Sequence, residues 1–133
     1  MGTISPGQMA VYRQSLQQRL TRQQTVREER REKALAAAWA IIPKIAATIP
    51  SVQYVYLFGS IIQPQQFHSD SDIDVAVIGT TSVDYFTFWR ELEIALPAWP
   101  IDLRDIDDVS PFSERVKNTG LLLYERADAP ATG

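Results

Sequence analysis

The sequence contains no cysteine. Disulfides, thiolate zinc sites and thiol nucleophiles are therefore excluded. No apolar run approaches the ~18 residues that a membrane span requires. The first residues lack the basic-then-apolar pattern of a secretory signal, so a cytoplasmic protein without membrane association is expected. Glycine is missing between Gly7 and Gly59, which leaves most of the first fifty residues free to form helix. Basic residues are scarce after residue 50, where five Lys or Arg face thirteen Asp or Glu for a net charge of −8. Residues 1–50 carry eight basic residues against three Glu, a net +5. The chain thus reads as a basic arm on an acidic body, and an acidic body suits cations better than nucleic acid. Its 133 residues, 45% of them hydrophobic, fit one domain with a real core.

What is present centres on Tyr54 to Gly79. An apolar run, Val55 to Phe58, stops at Gly59-Ser60; a polar, Gln-rich loop follows, and Ser71-Asp72-Ile73-Asp74 leads into a second apolar run, Val75 to Ile78. Alternate residues of a strand share a face, so Asp72 and Asp74 point one way while Ile73, Val75 and Val77 point into the core. Like charges at this spacing repel, and fold stability gives no reason to keep them together. A divalent cation such as Mg²⁺ supplies one, because hard oxygen ligands suit it. Asp102, alone between the apolar Ile101 and Leu103, is a third candidate ligand.

The remaining elements follow from periodicity and punctuation. Ser5-Pro6 fits a helix start, and the chain reads as helix from Gly7 to about Ile49. Met9, Tyr12, Leu16 and Leu20 form a narrow apolar stripe. Residues 21–33 are too polar to bury a face and read as a solvent-crossing segment. Its Arg27, Arg30, Arg31 and Lys33 are interleaved with Glu28, Glu29 and Glu32 at ion-pair spacing and lack interleaved aromatics, so they read as a solvated face and not a nucleic-acid patch. Ala34 to Ile49 is apolar nearly all round, with Pro43 expected to kink or divide it. Strands are expected over 53–58, 73–79, 101–104 and 121–124. Ser82 is read as the N-cap of a helix over 83–96 whose core face is Phe86, Trp89, Leu92 and Leu96. Ser110-Pro111 opens a helix over 112–118, and 105–108 is read as an acidic loop. The expected fold is a small α/β (α+β) sheet of about four strands with helices packed on it, divided into an arm at 1–50, a domain at 51–126 and a loose tail at 127–133.

Gly59-Ser60, Asp72-Ile73-Asp74 and a later Asp102 resemble the three-part motif of the DNA polymerase beta-like nucleotidyltransferases, in particular the minimal nucleotidyltransferase (MNT) branch that partners HEPN-domain toxins. The resemblance covers roughly residues 51–126 and implies a polymerase-beta palm-like fold and an enzyme that moves a nucleoside monophosphate, AMP from ATP, onto a hydroxyl of a protein partner. It implies that Asp72 and Asp74 bridge two Mg²⁺ ions, that Asp102 binds the acceptor-side metal and helps take the acceptor proton, and that Gly59, Ser60 and Ser71 form the nucleotide site. Gly59 would let the backbone approach the triphosphate, Ser60 would offer a hydroxyl and an N–H, and Ser71 would brace the loop. The implied partner is a HEPN toxin, with homo-oligomerisation through the N-terminal helix as a further option.

One departure from that family matters. The loop after Gly59-Ser60, running from Ile61 to Phe67, carries no basic residue where relatives place an Arg or Lys on the triphosphate. Either Arg90, Arg104 or Lys117 replaces it, or nucleotide binds weakly. Asp70 is read as a solvated turn residue and His68 as an exposed loop residue without a role. The alternative to an enzyme is a binding antitoxin or oligomerising module with a degenerate nucleotide site. A small-molecule transferase of the aminoglycoside-modifying kind ranks last, because too little chain follows Asp102 to build an acceptor domain.

Overall fold

A computed structural model describes residues 2–128. Helix α1 spans Pro6–Ala47, strand β1 Tyr54–Phe58, a short 3-10 turn Gly59–Ile62, β2 Ile73–Ile78, α2 Ser82–Ala95, β3 Ile101–Asp105, α3 Pro111–Thr119 and β4 Leu121–Glu125. The sheet order is β3-β2-β1-β4. β1 pairs antiparallel with both β2 and β4, while β2 and β3 run parallel. A parallel pair needs a crossover, and α2 is that crossover.

α1 begins where the sequence says it should. Ser5 accepts from the Gln8 amide at 3.2 Å, and the Gln8 side chain accepts from the Ser5 amide at 2.9 Å, with Pro6 in the first turn. This reciprocal box satisfies two donors that a helix start otherwise leaves without partners. Of the two outcomes expected at Pro43, a kink or a division, the division does not occur: one helix continues through it. Proline removes the amide that would bond the carbonyl of Trp39. The loss is one bond in a helix whose Ala38, Ile42 and Ala46 are buried against the sheet, and that packing keeps the helix whole.

Each face of the sheet has its own core. On one side Ala34, Ala38, Ile42 and Ala46 of α1 pack with Val55, Leu57, Ile73, Val75 and Val77 of the sheet and with Phe88 and Leu92 of α2. The spacing of four places these α1 residues on one stripe, and three alanines let the helix lie close to the strands. On the other side Tyr54, Tyr56 and Ala76 pack with Ile106 and with Val116 of α3. The α2 register differs from the sequence reading. Thr81, not Ser82, caps it by accepting from the Asp84 amide at 3.2 Å. Phe88 is buried with Leu92 and Leu96, while Phe86 is 65% exposed. Tyr85 explains the choice: its hydroxyl donates to the Leu103 carbonyl at 2.6 Å, which fixes the helix azimuth. Asp105 belongs to β3 where an acidic loop was expected, and the loop that follows it begins with the buried Ile106.

The arm leaves the body at the end of the sheet where β1 finishes. Arg31 donates to the Ile61 carbonyl at 3.1 Å, and Glu28 accepts from the Gln65 amide at 2.9 Å while also holding Arg31. From Pro6 to Val26 every residue is exposed, a projection of about 30 Å at 1.5 Å per residue. Leu16 and Ala34, like Leu20 and Ala38, lie about five turns apart at 3.6 residues per turn. The exposed apolar stripe of the arm is therefore a direct continuation of the face that α1 buries against the sheet. The loose tail expected at 127–133 lies, from residue 129 onward, outside the described residues.

That division between buried and projecting helix can be measured. Ile42→Ala should lower unfolding stability by about 2–4 kcal/mol, whereas Leu16→Ala should change it by less than about 0.5 kcal/mol. Urea melts followed by circular dichroism provide the comparison.

Candidate active site

Strand register builds the site. Phe58, the last residue of β1, pairs with Asp74, and Asp74 pairs with Asp102 on the parallel neighbour. Paired residues project from the same side of the sheet, so Asp74 and Asp102 stand together on the face of Ala76, away from Ile73, Val75 and Val77. Asp72 precedes β2, whose start is fastened by the Ile73 amide donating to the Pro100 carbonyl at 2.8 Å. Each of the three acids offers one carboxylate oxygen, and these oxygens all lie within 4.8 Å of one another.

Such an arrangement is electrostatically costly. Burial is the largest influence on Asp74, followed by the negative charges of Asp102 and Asp72; together they push its pKa up to about 6. Arg104 opposes this in part. Its Nε donates to both oxygens of Asp102, at 3.1 and 3.4 Å. Arg104 lies two residues further along β3, in register with Ala76, so it approaches Asp102 from the side remote from the start of β2. The arginine compensates one of three negative charges and leaves the mouth of the cluster to the remaining two. A cluster of oxygen ligands with residual negative charge fits a hard divalent cation. The sequence reading offered Arg104 to a triphosphate and missed it as the counter-ion of Asp102. The signal for that pairing was the alternate spacing of the two residues on one strand face.

Gly59 is bound into the same geometry. Its φ is +76°, and a Cβ there would meet Asp74 Oδ2 at 2.3 Å. Only glycine combines that left-handed backbone with a carboxylate pressed against Cα. Ser60 follows in the 3-10 turn, whose last bond runs from the Gln63 amide to the Ser60 carbonyl at 3.1 Å. Ser71 closes the far end of the loop. Its Oγ accepts from the His68 amide at 2.7 Å, and its own amide donates to the His68 carbonyl at 3.1 Å. The turn so formed hands the chain to Asp72. His68 and Asp70 are exposed. Arg27 and Arg30 line an open groove with His68 beside the arm, and Arg31, expected on the solvated face, is the arm's anchor instead.

Register, carboxylate cluster and glycine turn fit the nucleotidyltransferase pattern, and comparison with known proteins identifies the family. The chain belongs to the polymerase beta nucleotidyltransferase family, whose model matches residues 41–129. It is 38% identical over 73 residues to the protein adenylyltransferase MntA of Shewanella oneidensis, a match covering 53% of this chain and 51% of that protein. The chain therefore matches about half the length of that curated relative. Among solved structures it resembles a mutant of the toxin–antitoxin MntA-HpeT at 26% identity, covering 67% of this chain and 74% of the other with a TM-score of 0.54. A toxin–antitoxin structure with AMP-PNP matches at 29% identity, 63% and 70% coverage and a TM-score of 0.51.

The charge at Asp74 has a stability consequence. A carboxyl with a folded-state pKa above its unfolded value holds its proton more tightly when folded, so stability falls as pH rises from near 3.8 through about 6. Asp74→Asn removes that penalty. In EDTA the variant should melt higher than the parent protein at pH 8, and the gap should close below about pH 4. A lower melting temperature for the variant at pH 8 refutes this account.

Proposed function

We propose that this chain is a metal-dependent adenylyltransferase that transfers AMP from ATP to a hydroxyl of a protein partner, a HEPN-domain toxin, and so acts as its antitoxin in the cytoplasm. The observation that carries the reading is the convergence of Asp72, Asp74 and Asp102 beside a glycine that admits no side chain. Partner and acceptor chemistry follow the relatives, namely an adenylyltransferase and toxin–antitoxin assemblies.

Two Mg²⁺ ions, held by Asp72, Asp74 and Asp102, would neutralise the charge that spreads over the phosphoryl oxygens during transfer. The protein forms no bond of its own to phosphorus; its work is alignment. Asp72 and Asp74 would be ligands to the metal, and their common face would position the reacting phosphate. Asp102 stands on the neighbouring strand, which suits it to receive the acceptor proton while Arg104 holds its rotamer. Gly59 lets the triphosphate lie against the backbone, and Ser60 contributes its hydroxyl there. Ser71 acts through the loop, by setting the turn that delivers Asp72.

A second reading rests on the arm, whose Met9, Tyr12, Leu16 and Leu20 are all exposed. An apolar stripe continuous with the core-facing side of α1 is a docking surface for a partner helix, from the toxin or from a second copy. Contact alone could silence a partner, with the carboxylates dispensable.

Incubation with Mg²⁺, the toxin and ATP radiolabelled on its α-phosphate separates the two. Asp72→Asn combined with Asp74→Asn should abolish labelling of the toxin, by at least ~100-fold, while the complex still forms in size-exclusion chromatography. Full silencing of the toxin by that double variant would leave the contact reading standing and remove the enzymatic one.

A further inference from the structure

The neutral loop after Gly59-Ser60 leaves a transferase short of one cation, and the three residues nominated to replace it are poorly placed. Arg104 is committed to Asp102. Arg90 lies on α2, which packs on the opposite face of the sheet from the carboxylates, and it is drawn to Glu91. Lys117 lies beside Glu114 and contributes to the field around Asp107 and Asp108. Asp107 accepts from the amide of Gly79 at 2.8 Å, just past the other end of β2.

Another arginine does face the site. α3 covers the same side of the sheet as the carboxylates, and between it and the end of β1 lies a pocket of about 370 Å³. Phe58, Gly59 and Gln63 form one wall; Phe112, Arg115 and Thr119 form the other. The last three recur at helical spacings of three and four, so one face of α3 looks into the pocket. Among the described residues Arg115 has no carboxylate within ion-pair reach. Phe112 and Phe58 form a T-shaped pair, with ring centroids 5.3 Å apart, and Phe112 keeps 37% of its surface exposed. Gly59 belongs to both spaces: Asp74 presses on its Cα, and its backbone lines the pocket.

We propose that this pocket is the seat of the nucleotide, with Arg115 replacing the missing loop cation on the polyphosphate and Phe112 presenting an aromatic face to the base. The assignment rests on the transferase reading above, since it supposes that a triphosphate crosses Gly59 on its way to the carboxylates. The volume suits a compact ligand. A guanidinium offers the forked donors that phosphate oxygens accept, and a partly exposed ring offers the stacking surface that any base can use. Arg115 and Phe112 are one turn apart, as required for one ligand to meet both.

Calorimetric titration with AMP-PNP and with AMP, both with Mg²⁺, tests the two roles separately. Arg115→Gln should weaken AMP-PNP about tenfold or more and AMP much less, because the residue is assigned to the outer phosphates; Arg115→Lys should recover part of the loss. Phe112→Ala should weaken both ligands by a similar factor of about five to ten. Both side chains are partly exposed, so unchanged circular dichroism spectra are expected. Unaltered AMP-PNP affinity in Arg115→Gln, or equal losses for AMP-PNP and AMP, overturns the assignment while the transferase reading stands. Failure of the parent protein to bind AMP-PNP overturns both.

Discussion

Three carboxylates gathered within 4.8 Å are the constraint to which the rest of the site conforms. Burial and their mutual repulsion push the pKa of Asp74 upward, and Arg104 offsets this only in part. What holds them together is backbone. The antiparallel pairing of β1 with β2 fixes Asp74 opposite Phe58, and the parallel pairing of β2 with β3 fixes Asp102 opposite Asp74. Because side chains alternate along a strand, a slip of one residue in either register would turn an acid into the core. The buried Ile73, Val75 and Val77 resist that slip, since they would then face the other side of the sheet. The hydrophobic core therefore enforces an arrangement that the carboxylates alone oppose. Gly59 belongs to the same constraint, because the space its missing Cβ would occupy is where Asp74 lies.

The long helix couples this site to the surroundings of the molecule. Its last turns complete the core, and its middle is tied by Arg31 and Glu28 to the segment that follows Gly59. Its first turns run on past that point with an exposed apolar stripe. A partner seated on the stripe would approach from the end of the sheet at which β1 ends and β2 begins, the end that carries the carboxylates. Residues 2–27 contain Arg13, Arg19, Arg22 and Arg27 and no acid. Two such arms repel each other when laid side by side, so the charge pattern favours an acidic partner surface over self-pairing. This gives the contact reading a physical basis without setting it against catalysis, because the surface that would hold a partner also directs it toward the site.

Much of this was legible in the sequence because local signals and tertiary demands coincide. Gly59, the Asp72-Ile73-Asp74 alternation and Asp102 could be read by strand parity alone, and the helix starts at Ser5 and Ser110 by capping chemistry. The failures came where a distant contact overrode a local rule. Pro43 was expected to kink or divide α1, and the helix runs through it undivided because the packed face around it outweighs the one bond that proline removes. Phe86 and Phe88 offered α2 two apolar faces, and the hydroxyl of Tyr85 reaching Leu103 selected the second. The run at 105–108 was legible only as an acidic loop, while Asp105 extends β3 and Ile106 is buried on the face that α3 covers. Arg115 gave no linear signal, since an arginine on a short polar helix is ordinary until the helix is seen to face Gly59.

The neutral loop also bears on whether catalysis has been lost. If the nucleotide site were merely decayed, there would be no reason for the costly part to persist. Asp74, half-buried beside two further carboxylates, lowers the stability of the folded chain at neutral pH, and the left-handed glycine beneath it serves no packing need that a turn of ordinary residues could not meet. A contact antitoxin could discard both without harm to its arm or its core. The same face of the sheet instead combines the acids, the bare backbone of Gly59 and, across a pocket from it, the guanidinium of Arg115, which has no carboxylate in ion-pair reach among the described residues. The helix facing the loop carries the positive charge that the loop lacks, an arrangement suited to holding phosphate.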